Sequence, residues 1–358
     1  MSAIHARFKV NYPGFSLDVD LDLPGRGVTA LFGESGSGKT TCLRAIAGLE
    51  RTANTYLSVN GAVWQDDARG ILLPAYRRPV GYVFQEVSLF EHLNVRRNLD
   101  YGVKRVPAAE RRVSLAQVVD LLGIAHLLDR KPGTLSGGEC QRVSIARALA
   151  VSPAVLLMDE PLAALDAKRK GEIIPYLERL HDELEIPVIY VSHSLEEVAR
   201  LADFLVLLEE GRIVASGQAV DMMTRLDQTL AHGDSASALI IATVTSHDAG
   251  YHLTCVDFPG GALMLPYHPL QIGQRVRVRI QARDVSLTLE KQTGTSILNI
   301  LPATVLALSD DSPGQVIVAL DAGGARMLAR VTRKSVAALE LIPGKAVYAQ
   351  IKSVAILG

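Results

Sequence analysis

Eight consecutive residues carry the first chemical signal. Gly33, Glu34, Ser35, Gly36, Ser37, Gly38, Lys39 and Thr40 spell a phosphate-loop pattern, set directly after the apolar run 28–32 and before a helical stretch that opens at Thr41. The glycines let backbone N–H groups turn toward a β-phosphate, and the start of the helix adds a favourable dipole. Lys39 reaches the β- and γ-phosphates, Thr40 offers its hydroxyl to Mg²⁺, and Thr41 completes the nucleotide-binding set. Further along, VLLMDEP (155–161) is an apolar strand ending in two acids. Asp159 stands where a strand end delivers a carboxylate to the metal, and Glu160 stands where it polarises an attacking water as general base. The chemistry indicated is hydrolysis of a nucleoside triphosphate.

A third group lies 20 residues before that strand's end. In LSGGE (135–139), Ser136, Gly137 and Gly138 expose a hydroxyl and backbone N–H groups at the start of a helix, an anion site suited to a γ-phosphate.

The elements that must position these residues follow from the hydropathy pattern. Up to about residue 230, short apolar runs (28–32, 81–84, 155–158, 188–191) alternate with longer helical stretches, which predicts an α/β domain with a largely parallel sheet over 1–232. TLAHGDSAS (229–237) is polar and small and reads as a linker. Beyond it, short strand-like runs broken by glycine and proline predict small, all-β, OB-like modules over 237–291 and 293–358. A weak repeat supports two modules: 272–287 and 343–358 superpose with Gly273 on Gly344, Val276 on Val347 and Ile280 on Ile351.

Composition bounds the possible partners. The 358 residues are 48% hydrophobic and 21% charged, enough to bury a core in two or three domains. Lysine plus arginine (37) balances aspartate plus glutamate (38), so nothing advertises nucleic acid. No apolar run approaches the roughly 18 residues that span a bilayer. The N-terminus lacks the long apolar core of a secretory signal, so a cytoplasmic location is expected. Cys42, Cys140 and Cys255 have no metal-ligand spacing and read as reduced thiols.

LSGGE followed by QRVSIARALA closely resembles the signature of the ABC ATPase family, and Gln85 in VFQE, Asp166 in AALD and His193 in YVSHS stand in that family's order. The resemblance implies ATP and Mg²⁺ as cofactors and a head-to-tail homodimer in which Ser136, Gly137 and Gly138 meet the partner's γ-phosphate. It assigns Gln85 to sensing Mg²⁺ and the lytic water, Asp166 to contacts across the dimer, and His193 to the γ-phosphate. It also stacks adenine on an aromatic near the N-terminus, for which Tyr12 is the candidate and Phe15 the competitor.

The whole chain further resembles ATP-binding subunits of bacterial molybdate importers, through RRPVGYVFQE, LLGIAHLLDRKPGTLSGGE, YVSHSLEEV, TSILNILPATV and AQIKSVAI. Its C-terminal module resembles the small molybdate-binding β domain, of Mop or TOBE type, found in storage and regulator proteins. Hydroxyls, amides and a lysine suffice for such an oxyanion, which makes Thr295, Ser296, Asn299, Lys352 and Ser353 the candidate contacts. The implied assembly is a homodimer beneath two membrane permease subunits, peripheral on the cytoplasmic face of a bacterial inner membrane. An external binding protein delivers molybdate through the permease. Import of sulfate, tungstate, iron or sugar, or a soluble oxyanion-sensing ATPase without a permease, are the competing expectations.

Overall fold

The structure, a computed structural model, describes residues 3–227 and 229–357. The outer limits expected for the first domain (residue 1) and the last module (residue 358) lie outside these. The chain divides into two compact units, Met1–Gly217 and Gln218–Gly358. The division falls before the linker expected at 229–237, because residues 219–222 form a short helix that packs on the second unit's first strand.

The first unit opens with β1 (Ala3–Tyr12), β2 (Phe15–Pro24), β3 (Val28–Phe32) and α1 (Lys39–Ala47). Next come β4 (Ala53–Val59), β5 (Ala62–Asp66), β6 (Ile71–Leu72) and β7 (Val80–Val83). Three helices follow, α2 (Val95–Val103), α3 (Leu115–Leu121) and α4 (Gly137–Ala150). It closes with β8 (Val155–Asp159), α5 (Ala167–Glu183), β9 (Val188–Val191), α6 (Leu195–Leu201), β10 (Phe204–Glu209) and β11 (Arg212–Gln218).

An antiparallel sheet runs β2-β1-β4-β5-β6. Its first two strands alternate strictly: Ile4, Ala6, Phe8 and Val10 point inward, while His5, Arg7 and Lys9 face Asp22, Asp20 and Asp18 on the outer side. The second sheet runs β11-β10-β3-β9-β8-β7, with β10, β3, β9, β8 and β7 parallel. Every residue of β8 is buried, as expected of a parallel strand covered on both faces. Leu156 and Met158 enter the core formed with α2, α3, α4 and α5; Val155 and Leu157 enter the one formed with α1 and the antiparallel sheet. Clamped from both sides, the parallel sheet is a fixed platform, and the loops after β3, β7, β8 and β9 all leave its carboxyl edge.

The second unit contains α7 (Ala219–Met222), β12 (Ser237–Asp248), β13 (Leu253–Phe258), β14 (Gly261–Pro266), β15 (Arg275–Gln281) and β16 (Val285–Thr288). It continues with β17 (Asn299–Ser312), β18 (Gln315–Ala322), β19 (Ala325–Thr332), α8 (Arg333–Ala338), β20 (Ala346–Ile351) and β21 (Ala355–Leu357). Two five-stranded sheets form, β14-β13-β12-β15-β21 and β16-β20-β17-β18-β19. The expected modules 237–291 and 293–358 do not coincide with them, since each repeat places its last strand in the other's sheet: β21 pairs with β15, and β16 with β20. The exchange is close to symmetric. Val278, whose repeat mate is Ala349, pairs with Ile356, and Ala349 pairs with Leu287, two residues beyond Ile356's mate Val285. A slip of two keeps every side chain on its own face. One continuous apolar core, from Ala238 to Ile351, fills both sheets.

No helix among the described residues is long and apolar enough to cross a membrane.

Candidate active site

The carboxyl edge of the parallel sheet gathers most of the expected chemistry. The phosphate loop follows β3, and its glycines do what other residues would not. Gly38, the N-cap of α1, has φ 103°, and a Cβ there would meet Leu17 at 2.9 Å and Phe15 at 3.0 Å. Lys39 is buried and turns its ammonium back into the loop, donating to the carbonyls of Gly33 (2.9 Å) and Glu34 (2.6 Å). Burial pushes its pKa down, against the opposing pull of Glu160 and Asp159. Ser37 donates from its backbone to Glu34, which closes the loop on itself.

Thr40 Oγ1 donates to Asp159 Oδ1 at 2.8 Å, joining the phosphate-loop helix to the end of β8. Asp159 is buried, and burial is the first reason its pKa is raised; Glu160 adds to the rise, while the Thr40 and Tyr82 hydroxyls oppose it. A hydroxyl and a carboxylate this close are the hard oxygen donors Mg²⁺ takes when phosphates supply further ligands, so the residues present fit that ion. Tyr82 on β7 donates to Asp159 Oδ2 at 3.2 Å. The sequence reading missed this tyrosine. Its signal is faint: it occupies β7, which pairs directly with β8, three residues before Gln85.

Glu160 adopts φ 43°, a left-handed conformation that costs a non-glycine residue free energy and is characteristic of functional positions. Its N–H donates to Val191 O, which ties it to the end of β9. His193 follows β9, and its Nδ1 lies 3.3 Å from Glu160 Oε2. Thus Lys39, Thr40, Asp159, Glu160 and His193 come together from three loops. Gln85 lies two residues past β7 and is exposed.

Other expected residues have local partners of their own. Ser136 caps α4, accepting from Glu139 N while Glu139 Oε2 accepts from Ser136 N at 2.7 Å. SGGE is a capping-box sequence, a local signal the functional reading passed over. Ser136 and Gly137 are exposed, and Gly138 is buried. Asp166 caps α5 by accepting from Arg169 N at 2.9 Å. Tyr12 donates to Glu50 at 2.6 Å, a bond that raises its pKa, and Glu50 also accepts from Arg44. Phe15 is partly buried against Gly38, so of the two aromatics it is the one packed on the phosphate loop. Arg78, also unremarked in the sequence, is buried and donates to the carbonyls of Ala45 (3.1 Å) and Ile46 (2.7 Å), neutralising the far end of α1.

In the second unit, Asn299 pairs with Ile351. The loop holding Thr295 and Ser296 therefore precedes, and Lys352 and Ser353 follow, the same end of the β17–β20 ladder. All four are exposed. Asn299 differs: it is buried, Oδ1 accepts from Met264 N at 2.7 Å, and Nδ2 donates to Met264 O at 2.9 Å. Its amide serves β14 as a surrogate strand partner, engaging its oxygen and one of its two N–H donors on Met264.

Comparison with known proteins adds to this geometry. Residues 17–163 match the ABC transporter family model, and residues 295–357 match the TOBE domain. The chain is 59% identical, over 99% of both chains, to molybdenum import ATP-binding protein ModC 1 of Azotobacter vinelandii. It is 58% identical to molybdenum import ATP-binding protein ModC of Pseudomonas aeruginosa, over the full length of both. Among solved structures, cbiO1 of Clostridium perfringens, part of the ABC transporter complex cbiONQ, matches with a TM-score of 0.54 and 26% identity. That match covers 62% of this chain and 90% of that one.

Proposed function

The chain belongs to the molybdenum import ATP-binding proteins of ABC transporters, and we infer that it hydrolyses ATP to energise molybdate uptake through a membrane permease. The observation that carries the cargo is that likeness to molybdenum importers runs through both units, so the C-terminal sheets are matched along with the ATPase. The full-length relatives named above are molybdenum importers, which favours this cargo over sulfate, tungstate, iron or sugar and over a permease-free sensor.

Thr40 and Asp159 would hold Mg²⁺, which would supply positive charge to the phosphates. Lys39 exchanges the carbonyls of Gly33 and Glu34 for phosphate oxygens, with no change in its own charge. Glu160 takes the proton of the attacking water at its carboxylate. His193, in contact with Glu160, faces the γ-phosphate and holds Glu160 in line, and Gln85 reaches in from the β7 loop to orient the water. Ser136 and Gly137, exposed at the start of α4, meet the γ-phosphate held by a second copy, with Asp166 at the same homodimer contact. Phe15 or Tyr12 stacks on adenine.

The homodimer sits beneath two permease subunits on the cytoplasmic face of the inner membrane, and an external binding protein delivers the oxyanion. Thr295, Ser296, Lys352 and Ser353 bind molybdate as a sensor that biases the ATPase cycle. The test is accumulation of labelled molybdate in cells whose own uptake ATPase is deleted. The chain restores accumulation and Lys39→Ala does not; restoration by Lys39→Ala, or competition by sulfate as strong as by unlabelled molybdate, overturns the reading.

A further inference from the structure

Glu197 is a carboxylate the mechanism above does not use, and it is almost fully buried at 4% exposure. A buried charge persists only where it is matched, and here both oxygens are. Oε2 accepts from the hydroxyls of Tyr190 and Ser192, each at 2.8 Å, and Oε1 accepts from Lys170 Nζ at 2.8 Å. The backbone adds two links: Ser194 N donates to Ser192 Oγ at 3.0 Å, and Glu197 N donates to Ser194 Oγ, the cap of α6. His193 is the residue between those two serines, and its ring meets Glu160. Lys170 stands in the first turn of α5, where its N–H donates to the carbonyl of Asp166.

We propose that Glu197 is a positioning residue for hydrolysis: through Ser192 and Ser194 it fixes the loop that carries His193, and through Lys170 it ties that loop to the Asp166 start of α5. The inference rests on the role given above to His193. A purely structural core needs no ionised group at this point, since apolar residues of similar volume hold a core at least as well. A charged hub with one arm in each loop has two defined endpoints, and movement of the Asp166 turn on meeting a second copy is transmitted to His193 through one ion pair. Nucleotide binding by Lys39 and the phosphate loop does not pass through it.

The test compares Glu197→Gln, Lys170→Met, Lys170→Arg, the double variant and His193→Ala in the full chain. Fluorescent-nucleotide affinity, steady-state turnover and melting temperature are read on each. Glu197→Gln and Lys170→Met each lower kcat about tenfold with affinity within about twofold of wild type. The double variant is no slower than the worse single one, as expected of two ends of one link. Lys170→Arg recovers most of the turnover. Lys170 is partly exposed, so its variants keep the test valid if Glu197→Gln folds poorly. Losses that multiply in the double variant, or that fall on affinity as much as on kcat, overturn the proposal. Normal turnover in Glu197→Gln and Lys170→Met with His193→Ala inactive sinks this inference alone, whereas normal turnover in His193→Ala sinks the role of His193 as well.

Discussion

Asp159 in the first unit and Asp311 in the second both have side chains withdrawn from water, and the chain treats them in opposite ways. Asp311, whose side chain is 1% exposed, has Arg330 Nε at 2.7 Å and accepts from Gly233 N–H at 2.7 Å. The arginine approaches closely without hydrogen-bond alignment, but the charge is matched by a cation of the same unit. Asp159 accepts from two hydroxyls, Thr40 and Tyr82, and the Lys39 and Arg44 charges also act on it, yet burial outweighs them all. Its neighbour Glu160 is held at φ 43°. The first unit tolerates, at the sheet edge, a carboxylate whose burial outweighs its neighbouring cations and a left-handed backbone beside it, and under the proposed function Mg²⁺ would add positive charge there. The second unit, built from interlocked ladders around one core, leaves its buried charge no such deficit. Chemistry and stability are thus separable in this molecule, and substitutions can be chosen to move one without the other.

The largest effect tests the chemical side. Glu160→Gln keeps the shape of the side chain and removes the base, so turnover falls by about 100-fold or more while ATP binding persists and a nucleotide-bound dimer accumulates. Phosphate release and fluorescent-nucleotide binding measure the two halves. Near-normal hydrolysis would show that the proton goes elsewhere and that the strain at Glu160 has another cause.

The complementary test is made on the repeat-related pair Ile280 and Ile351, both almost fully buried in the shared core. Truncating either to alanine costs about 2–5 kcal/mol. Because the exchanged strands make one core of two sheets, each substitution destabilises the whole second unit in a single urea transition, with nucleotide affinity at the first unit unchanged. Two separate transitions, one per sheet, would break the comparison by showing that the repeats fold independently.

How much of this was legible in the sequence follows the same division. The phosphate loop, Asp159, Glu160 and His193 are each short peptides placed after an apolar strand, so one stretch of chain encodes both the backbone turn and the functional group. Their convergence follows from a parallel sheet having one carboxyl edge. Ser136 and Asp166 were found as functional candidates, yet each is also a helix cap, a local role that their sequence positions encode as well. What could not be read depends on partners far apart in the chain: Tyr82 on Asp159, Arg78 on the end of α1, Lys170 on Glu197. In the second unit the repeat was visible as matched glycines and apolar residues. Its strand exchange was not, because alternation fixes which face a strand presents and leaves open which neighbour it joins. Asn299 illustrates this: the sequence marks it as a polar residue beside hydroxyls, and only the packing of β14 against the start of β17 shows its amide bonding the Met264 backbone.

The smallest expected effect is on stability at the site itself, and its sign is the sharpest check on the contrast between the two aspartates. Burial holds the Asp159 carboxyl above the ordinary carboxylate range. A folded-state pKa above the unfolded value means the folded chain binds the proton more tightly, so at neutral pH the ionised group opposes folding. That opposition fades as pH falls through the raised pKa and is gone below the unfolded value of about 4. Asp159→Asn keeps an oxygen and an amide for the Thr40 and Tyr82 hydroxyls and carries no charge. Without metal or nucleotide, it should therefore melt a few degrees above wild type near neutral pH, with the margin shrinking to nothing toward about pH 4. The same variant should lose the ability of Mg²⁺ to tighten ATP binding. Calorimetric melts across that pH range measure the first claim, and nucleotide titrations with and without Mg²⁺ measure the second. A variant that melts lower than wild type at neutral pH would mean that the two hydroxyls and the nearby cations already satisfy Asp159 as fully as Arg330 and Gly233 satisfy Asp311, and that the site holds no electrostatic deficit for a metal to fill.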